Sequence, residues 1–160
     1  MAEAARAALA DADVERPDAI VVAAMNPEEF TGDGNYGSLI NTHLGFSRVP
    51  ALRVETATSS GLAAFYCGYM AIAAGFHRTV LVLGGEKMSH LPTPRVSEII
   101  GRSIDPHERR YGTTMPALAG LITRAVMHRT GLTLREISQG AVKNHANATR
   151  NPYAHFQEAV

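Results

Sequence analysis

Short apolar segments of strand length alternate with helical patterns over the first half of the chain. The three segments are DAIVVAAM, ALRVETA and TVLVL, at residues 18–25, 51–57 and 79–83. The last is almost wholly apolar, which is typical of a strand buried on both faces of a parallel sheet. Strands joined by helices imply right-handed crossovers and a sheet covered on both faces. The sequence therefore predicts an α/β fold with a mainly parallel sheet.

Over the rest of the chain, helical patterns are separated by segments rich in helix-breaking residues. Helices are predicted in AEAARAALADA, in GSLINTHLGF and after the second strand, and NPEEFTGDGNYG is predicted to be a loop. Residues 89–113 carry three prolines and dense charge, so we expect a long excursion with at most one short helix at 96–100. Two helices follow, the first with Thr114 as its cap and Gly131 past its end, the second opened by a Thr133–Glu136 capping box. A length of 160 residues predicts one domain, 1–160.

The amino-acid composition argues against several classes of partner. Fifteen basic and fifteen acidic residues leave no net charge, which argues against nucleic acid or an anionic membrane as a partner. The single cysteine, Cys67, excludes an internal disulfide and a cysteine zinc cluster, and the histidines show no metal-ligand spacing. No apolar run approaches the ~20 residues of a membrane helix, and the N-terminus does not have the pattern of a signal peptide. We expect a cytoplasmic protein with no metal and no cofactor.

The stretch VETATSSGLAAFYCGYMAIAAGF, residues 54–76, predicts a strand that turns through small hydroxyl residues into a helix. Sites in parallel sheets collect at the carboxyl ends of strands, and a helix N-terminus there can bind an anion or an oxyanion. Alternatively, Thr58, Ser59 and Ser60 only cap the helix. The helix itself is apolar almost all round, which predicts burial on every side.

Several segments resemble the thiolase superfamily, most closely its archaeal acetyl-CoA acetyltransferase and sterol carrier protein thiolase branch. They are VETATSSGLAA followed by LVLGGEKMSH, together with EEFTGDGNYGSLINTHLGF, RRYGTTMPALAGL and VKNHANATRNPYAHF. The resemblance implies the N-terminal half of a three-layer α/β/α fold, with a strand missing before Ala2 and another after Phe156. It also implies that the remaining strands lie in the spatial order second, first, third, and that the ligand is a coenzyme A thioester.

The sequence departs from the family pattern at the nucleophile. In the family, the residue corresponding to Thr58 is the cysteine that takes the acyl group. A threonine hydroxyl is far less acidic than a thiol and needs a positioned base. Cys67 lies about 13 Å further along the helix, so it is interpreted as a core thiol. The family's C-terminal catalytic motifs, G-H-P and C-x-G, do not occur, and His145 is interpreted as a structural or pocket-wall residue.

The resemblance therefore implies a thiolase-like acyl-CoA C-acyltransferase domain of acyl-CoA (lipid) metabolism, inactive by itself. The alternatives are a non-catalytic acyl-CoA-binding or assembly subunit, and half of a split thiolase-like enzyme or aldolase. Besides acyl-CoA, the expected partner is a second copy, or a longer thiolase-like subunit, paired through the strand at 52–56 and the helix after it. That strand alternates apolar residues with Arg53 and Glu55, and self-pairing would bring Arg53 near Glu55 of the second copy. No residue is assigned to coenzyme A.

Overall fold

The computed structural model describes all residues from Met1 to Val160. The chain divides into two compact units, Met1–Pro106 and His107–Val160, and the predicted extent of one domain over 1–160 stays a prediction. The strands are β1 (Ala19–Ala23), β2 (Ala51–Val54) and β3 (Val80–Gly84). The helices are α1 (Ala2–Asp11), α2 (Pro27–Thr31), α3 (Tyr36–Leu44), α4 (Ser60–Ala73), α5 (Thr93–Gly101), α6 (Pro106–Arg109), α7 (Met115–Thr130) and α8 (Leu134–Ala148).

The first unit contains a three-stranded sheet in the order β2-β1-β3. Both pairs of neighbours are parallel, and Ile20 of the central strand lies opposite Ala51 on one side and Leu81 on the other. The predicted α/β class, the parallel sheet and the strand order are confirmed.

The central strand β1 has a buried side chain at every position. Ile20 and Val22 face a cluster that includes Ala5 of α1 and Ile40 of α3, whereas Val21 and Ala23 face Ala64 of α4 on the other side. This alternation explains the near-continuous apolar sequence, because helices cover both faces of the strand. The first unit therefore has three layers: α1 and α3, the sheet, and α4.

Helix α4 is buried on one face only. The residues that pack inward, Ser60, Ala64 and Gly68, are small and four apart, so the helix lies close to the sheet. Its large apolar residues point away, and Leu62 is 73% exposed and Phe65 is 62% exposed. The predicted burial on every side is therefore wrong for this chain, because the sheet covers one face and the remaining apolar surface is open.

Two predicted irregular segments contain helices. The predicted loop after β1 includes the one-turn helix α2, and the excursion at 89–113 contains α5 and α6. The short helix expected at 96–100 is confirmed within α5, whereas α6 was not expected. Glu29 of α2 accepts hydrogen bonds from Arg95 on α5 and from Arg102, the C-cap residue of α5, which joins these two helices.

The second unit is formed largely by α7 and α8. The Thr114 hydroxyl accepts a hydrogen bond from the amide of Ala117, and Gly131 ends α7 in the left-handed conformation with φ of +74°. Thr133 and Glu136 form the predicted capping box of α8, so these predicted helix boundaries are confirmed. Neither helix has a buried side chain.

Candidate functional site

The turn between β2 and α4 lies at the carboxyl end of β2, where the sequence predicts a site. Ala57 adopts the left-handed conformation with φ of +50°, which costs about 1 kcal/mol for a residue with a side chain. Its amide donates to Glu55 Oε1 at 2.5 Å, so this acidic side chain holds the turn from its N-terminal side. The chain thereby reverses sharply just before Thr58.

The hydroxyl groups of Ser59 and Ser60 stabilise this turn from inside. Ser60 Oγ accepts from the amide of Thr56 at 2.9 Å and donates to the carbonyl of Ala57 at 2.6 Å. Ser59 Oγ donates to the carbonyl of Thr56 at 2.8 Å. Ser59 is the N-cap residue of α4, yet its side chain makes no capping hydrogen bond. The interpretation of these hydroxyl groups as helix caps is therefore wrong for Ser59, which stabilises the turn instead.

The side chain of Thr58 is exposed, between Ala57, where the chain reverses, and the two serines that stabilise the turn. No protein group is hydrogen-bonded to its hydroxyl, whereas both neighbouring serine hydroxyls are engaged in the turn. The amides of Gly61 and Leu62 in the first turn of α4 likewise donate to no protein acceptor. Thr58 therefore carries an exposed hydroxyl in the turn that precedes these free backbone donors, and no histidine or carboxylate is hydrogen-bonded to it.

Cys67 lies two turns further along α4 and is partly buried. It packs against the cluster of Val21, Ala23 and Ala64 beneath the sheet. This packing agrees with its interpretation as a core thiol, and it places the sulfur away from the turn.

An apolar groove of about 630 Å³ begins at the turn and continues along α4. Its walls combine two hydroxyl residues of the turn with apolar and aromatic residues of the helix: Thr56, Ser59, Leu62, Ala63, Phe65, Tyr66 and Tyr69. The free amides of the first helical turn and an apolar surface therefore lie side by side, a combination that suits a polar head group with an apolar extension.

A second cleft, of about 530 Å³, lies at the carboxyl end of β3 and is lined in part by Tyr36, His43, Glu86 and Lys87. Glu86 Oε2 accepts from the amides of Met25 at 2.6 Å and Asn26 at 3.4 Å, while its Oε1 is buried with no partner. This role of Glu86 was not predicted from the sequence. A charged residue directly after the buried strand, within GGEKMSH, was the available signal.

The outer strand β2 exposes half of the Leu52 side chain. Arg53 NH1 donates to both carboxylate oxygens of Glu28, at 2.6 and 2.8 Å, and this hydrogen bonding holds the pKa of Glu28 below its ordinary value. Arg53 and Glu55 thus both have partners within the chain, and the contact between Arg53 and Glu55 of a second copy stays a prediction.

The other features that could indicate a function add no further candidate site. The ring centroid of His145 lies 5.4 Å from that of Phe156 with the planes tilted by 35°, and His145 Nδ1 lies 3.4 Å from the carbonyl oxygen of Glu158. No group of three or more histidine, cysteine or acidic side chains is arranged to hold a metal ion. None of the helices combines the length and the apolar character needed to cross a membrane.

The fold and the turn define a class: a three-layer α/β unit whose candidate site lies where an edge strand turns into an apolar helix. The chain belongs to the thiolase family, because residues 1–160 match the family model described as the thiolase N-terminal domain. The family expected from the four resembling segments is confirmed.

Individual relatives agree with this assignment. The acetyl-CoA acetyltransferase of Methanothermobacter thermautotrophicus is 36% identical over 162 residues, which cover 99% of this chain and 42% of the relative. That of Methanocaldococcus jannaschii is 36% identical over 139 residues, covering 87% of this chain and 35% of the relative. Sterol carrier protein 2 of Bos taurus is 30% identical over 165 residues, covering 98% and 30%. The chain thus spans less than half the length of these relatives.

Proposed function

We propose that the chain is a thiolase-like acyl-CoA C-acyltransferase domain that binds a coenzyme A thioester at the β2–α4 turn and cannot form an acyl-enzyme by itself. The observation that carries the proposal is the state of Thr58, an exposed hydroxyl with no base bonded to it. The sequence resemblance implies that the family's nucleophile lies at this position. The names of the two archaeal relatives support an acyl-CoA ligand.

Binding of the thioester follows from the groups around Thr58. The free amides of Gly61 and Leu62 lie at the positive end of a 14-residue helix, where a carbonyl oxygen or an oxyanion is stabilised. The apolar groove along α4 accepts the part of the ligand that leaves this polar end. These features bind the thioester without requiring any proton transfer.

Acyl transfer needs a group that this site does not provide. A threonine hydroxyl becomes a nucleophile only when an adjacent base removes its proton, and general-base catalysis contributes about 10²–10⁴-fold to such steps. The catalytic base would come from a second polypeptide, in which case the chain is half of a split enzyme. A purely binding or assembly role is favoured by the same observation, the unassisted hydroxyl of Thr58.

Assembly through the edge of β2 belongs to the same proposal. Leu52 is 51% exposed on this edge strand, and an open edge pairs readily with a second strand. The partner is a second copy of this chain or a longer thiolase-like subunit, and two-fold pairing of β2 would close the open edge. A cytoplasmic location accompanies the proposal, because the single cysteine forms no disulfide.

The test combines binding and covalent chemistry. Isothermal titration of the chain with acetyl-CoA measures binding, and intact-mass spectrometry after the same incubation detects any covalent acetyl group. We expect reversible binding with no change in protein mass. If acetyl-CoA bound neither to the chain alone nor to any assembly that contains it, a coenzyme A thioester would not be its ligand. An acetyl adduct on Thr58 or Ser59 would show that the hydroxyl is activated after all.

A further inference from the structure

Ser60, the first residue of α4, is the only polar residue of the chain that is buried, with 6% of its surface exposed. Its hydroxyl group lies inside the β2–α4 turn and makes two hydrogen bonds there, one as acceptor and one as donor. A buried hydroxyl group cannot exchange such partners for water without loss, so both bonds constrain the turn.

The two bonds of Ser60 join the chain on either side of Ala57. Ser60 Oγ accepts from the amide of Thr56 at 2.9 Å and donates to the carbonyl oxygen of Ala57 at 2.6 Å. One oxygen atom therefore links the chain that enters Ala57 to the chain that leaves it. Ala57 has the left-handed φ of +50°, a conformation that persists in a residue with a side chain only when its surroundings hold it.

The peptide group between Ala57 and Thr58 depends on Ser60 in particular. The backbone amide of Ser60 also donates to the Ala57 carbonyl oxygen, at 3.2 Å, so Ser60 supplies both donors to this oxygen. Glu55 and Ser59 hold the preceding peptide group instead. Glu55 accepts from the Ala57 amide, and the Ser59 hydroxyl donates to the carbonyl oxygen of Thr56.

The orientation of residue 58 follows from this peptide group. Because a peptide is planar, fixing the Ala57 carbonyl also fixes the amide and the Cα atom of Thr58. The exposed Thr58 side chain has no hydrogen-bond partner of its own, so its direction depends on the backbone. The hydroxyl group of Ser60 therefore acts on a neighbour that it does not touch.

We propose that Ser60 is a positioning residue, whose buried hydroxyl group holds the Ala57–Thr58 peptide and thereby orients the side chain at position 58 in the turn before the free amides of α4. Ser60 itself contacts no ligand, because both of its hydrogen bonds are made within the chain. Its effect on the binding of a thioester rests on the proposed function.

A thiol at position 58 reports this orientation without any ligand. In Thr58→Cys, the rate of alkylation by iodoacetamide follows the thiolate fraction, which a helix N-terminus raises. The full chain is alkylated at several pH values, and peptide mass distinguishes position 58 from Cys67. We expect Ser60→Ala, added to Thr58→Cys, to lower the rate at pH 7 at least about threefold and to leave the limiting rate at high pH within about twofold. Residue 58 is already exposed, so the change reports orientation instead of access.

Two further serine variants serve as comparisons in the Thr58→Cys background. Ser138→Ala is the matched control, because the Ser138 hydroxyl donates to the carbonyl oxygen of Leu134 within α8; it should leave the pH profile unchanged. Ser59→Ala should lower the rate less than Ser60→Ala does, because Ser59 is not bonded to the Ala57 carbonyl. A lower free energy of unfolding for Ser60→Ala with an unmoved pH profile would show a purely structural role and overturn the proposal. An equal effect of Ser59→Ala on the profile would also overturn it.

Hydrogen exchange in the wild-type chain tests the bond without a substitution. The amide of Thr56 should exchange at least about tenfold more slowly than that of Gly61, which has no protein acceptor, and equal rates would contradict the proposal. Titration with acetyl-CoA separates the role of Ser60 from the proposed function. A wild-type chain that does not bind acetyl-CoA removes the ligand alone, whereas binding with an unmoved pH profile removes only the role of Ser60.

Discussion

Gly68 of α4 lies so close to Val82 of β3 that a Cβ atom on residue 68 would come within 2.9 Å of Val82 Cγ2. The same atom would lie 3.3 Å from Cγ1 of Val80. Both neighbours are β-branched residues of a packed strand, so neither can move aside without disturbing the sheet. The absence of a side chain at Gly68 therefore sets the distance between α4 and the sheet.

We expect Gly68→Ala to destabilise the first unit even though alanine favours the helix. The overpacking cost of about 1–3 kcal/mol exceeds the helix-propensity gain of about 1 kcal/mol. Urea denaturation followed by circular dichroism measures the difference. Gly61→Ala is the control in the same helix, because a Cβ atom there meets nothing within 4 Å. A Gly68→Ala protein as stable as the Gly61→Ala protein would show that α4 can shift away from the sheet.

Glu86 offers a second test of how the first unit is held together. Glu86→Ala leaves the partly buried amides of Met25 and Asn26 without their acceptor, which should cost about 1 kcal/mol, the low end of the range for a buried unpaired group. We expect a loss of this size in the free energy of unfolding, measured by urea titration. Glu86→Gln keeps an acceptor oxygen and should retain most of the stability. Equal losses in both variants would show that the charge of Glu86, rather than its acceptor oxygen, stabilises the turn after β1.

Gly68 and Glu86 show which features of the structure could be predicted from the sequence and which could not. The strands β1 and β3 and the caps at Thr114 and Thr133 are local patterns, so they could be predicted from their own residues. Glu86 binds amides 60 and 61 residues earlier in the chain, a relationship that no local pattern contains. The apolar pattern of α4 predicted burial on every side, whereas its outward face is exposed, because a pattern cannot indicate whether the same chain supplies the cover.

The ion pair between Arg53 and Glu28 predicts a dependence of stability on pH. Because hydrogen bonding to Arg53 lowers the pKa of folded Glu28, the pair contributes above the unfolded pKa of about 4.3 and is lost as pH falls through the lower folded pKa. Partial exposure of both side chains limits the contribution to about 0.2–1 kcal/mol. The free energy of unfolding of the wild type should exceed that of Glu28→Gln by this amount at pH 7, and the two should be equal near pH 2. Urea denaturation at each pH measures both values.

Salt provides the control for the same pair. Raising the ionic strength to about 1 M shortens the screening length to about 3 Å, which should reduce the difference between wild type and Glu28→Gln at pH 7. A difference that persists unchanged at pH 2 or in high salt would show that Glu28 stabilises the protein through packing instead of charge.

Substitution of Thr58, the residue proposed to stand at the family's nucleophile position, tests the chemistry most directly. Thr58→Cys places a sulfur just before the N-terminus of α4, where the helix favours the thiolate form. We nevertheless expect no thiolysis of acetoacetyl-CoA above the wild-type background, because turnover also needs an acid–base group and none is bonded to residue 58. The spectrophotometric loss of acetoacetyl-CoA measures this, with Thr58→Ser as the matched control. If Thr58→Cys alone produced sustained turnover, a base within this chain would have to reach the turn.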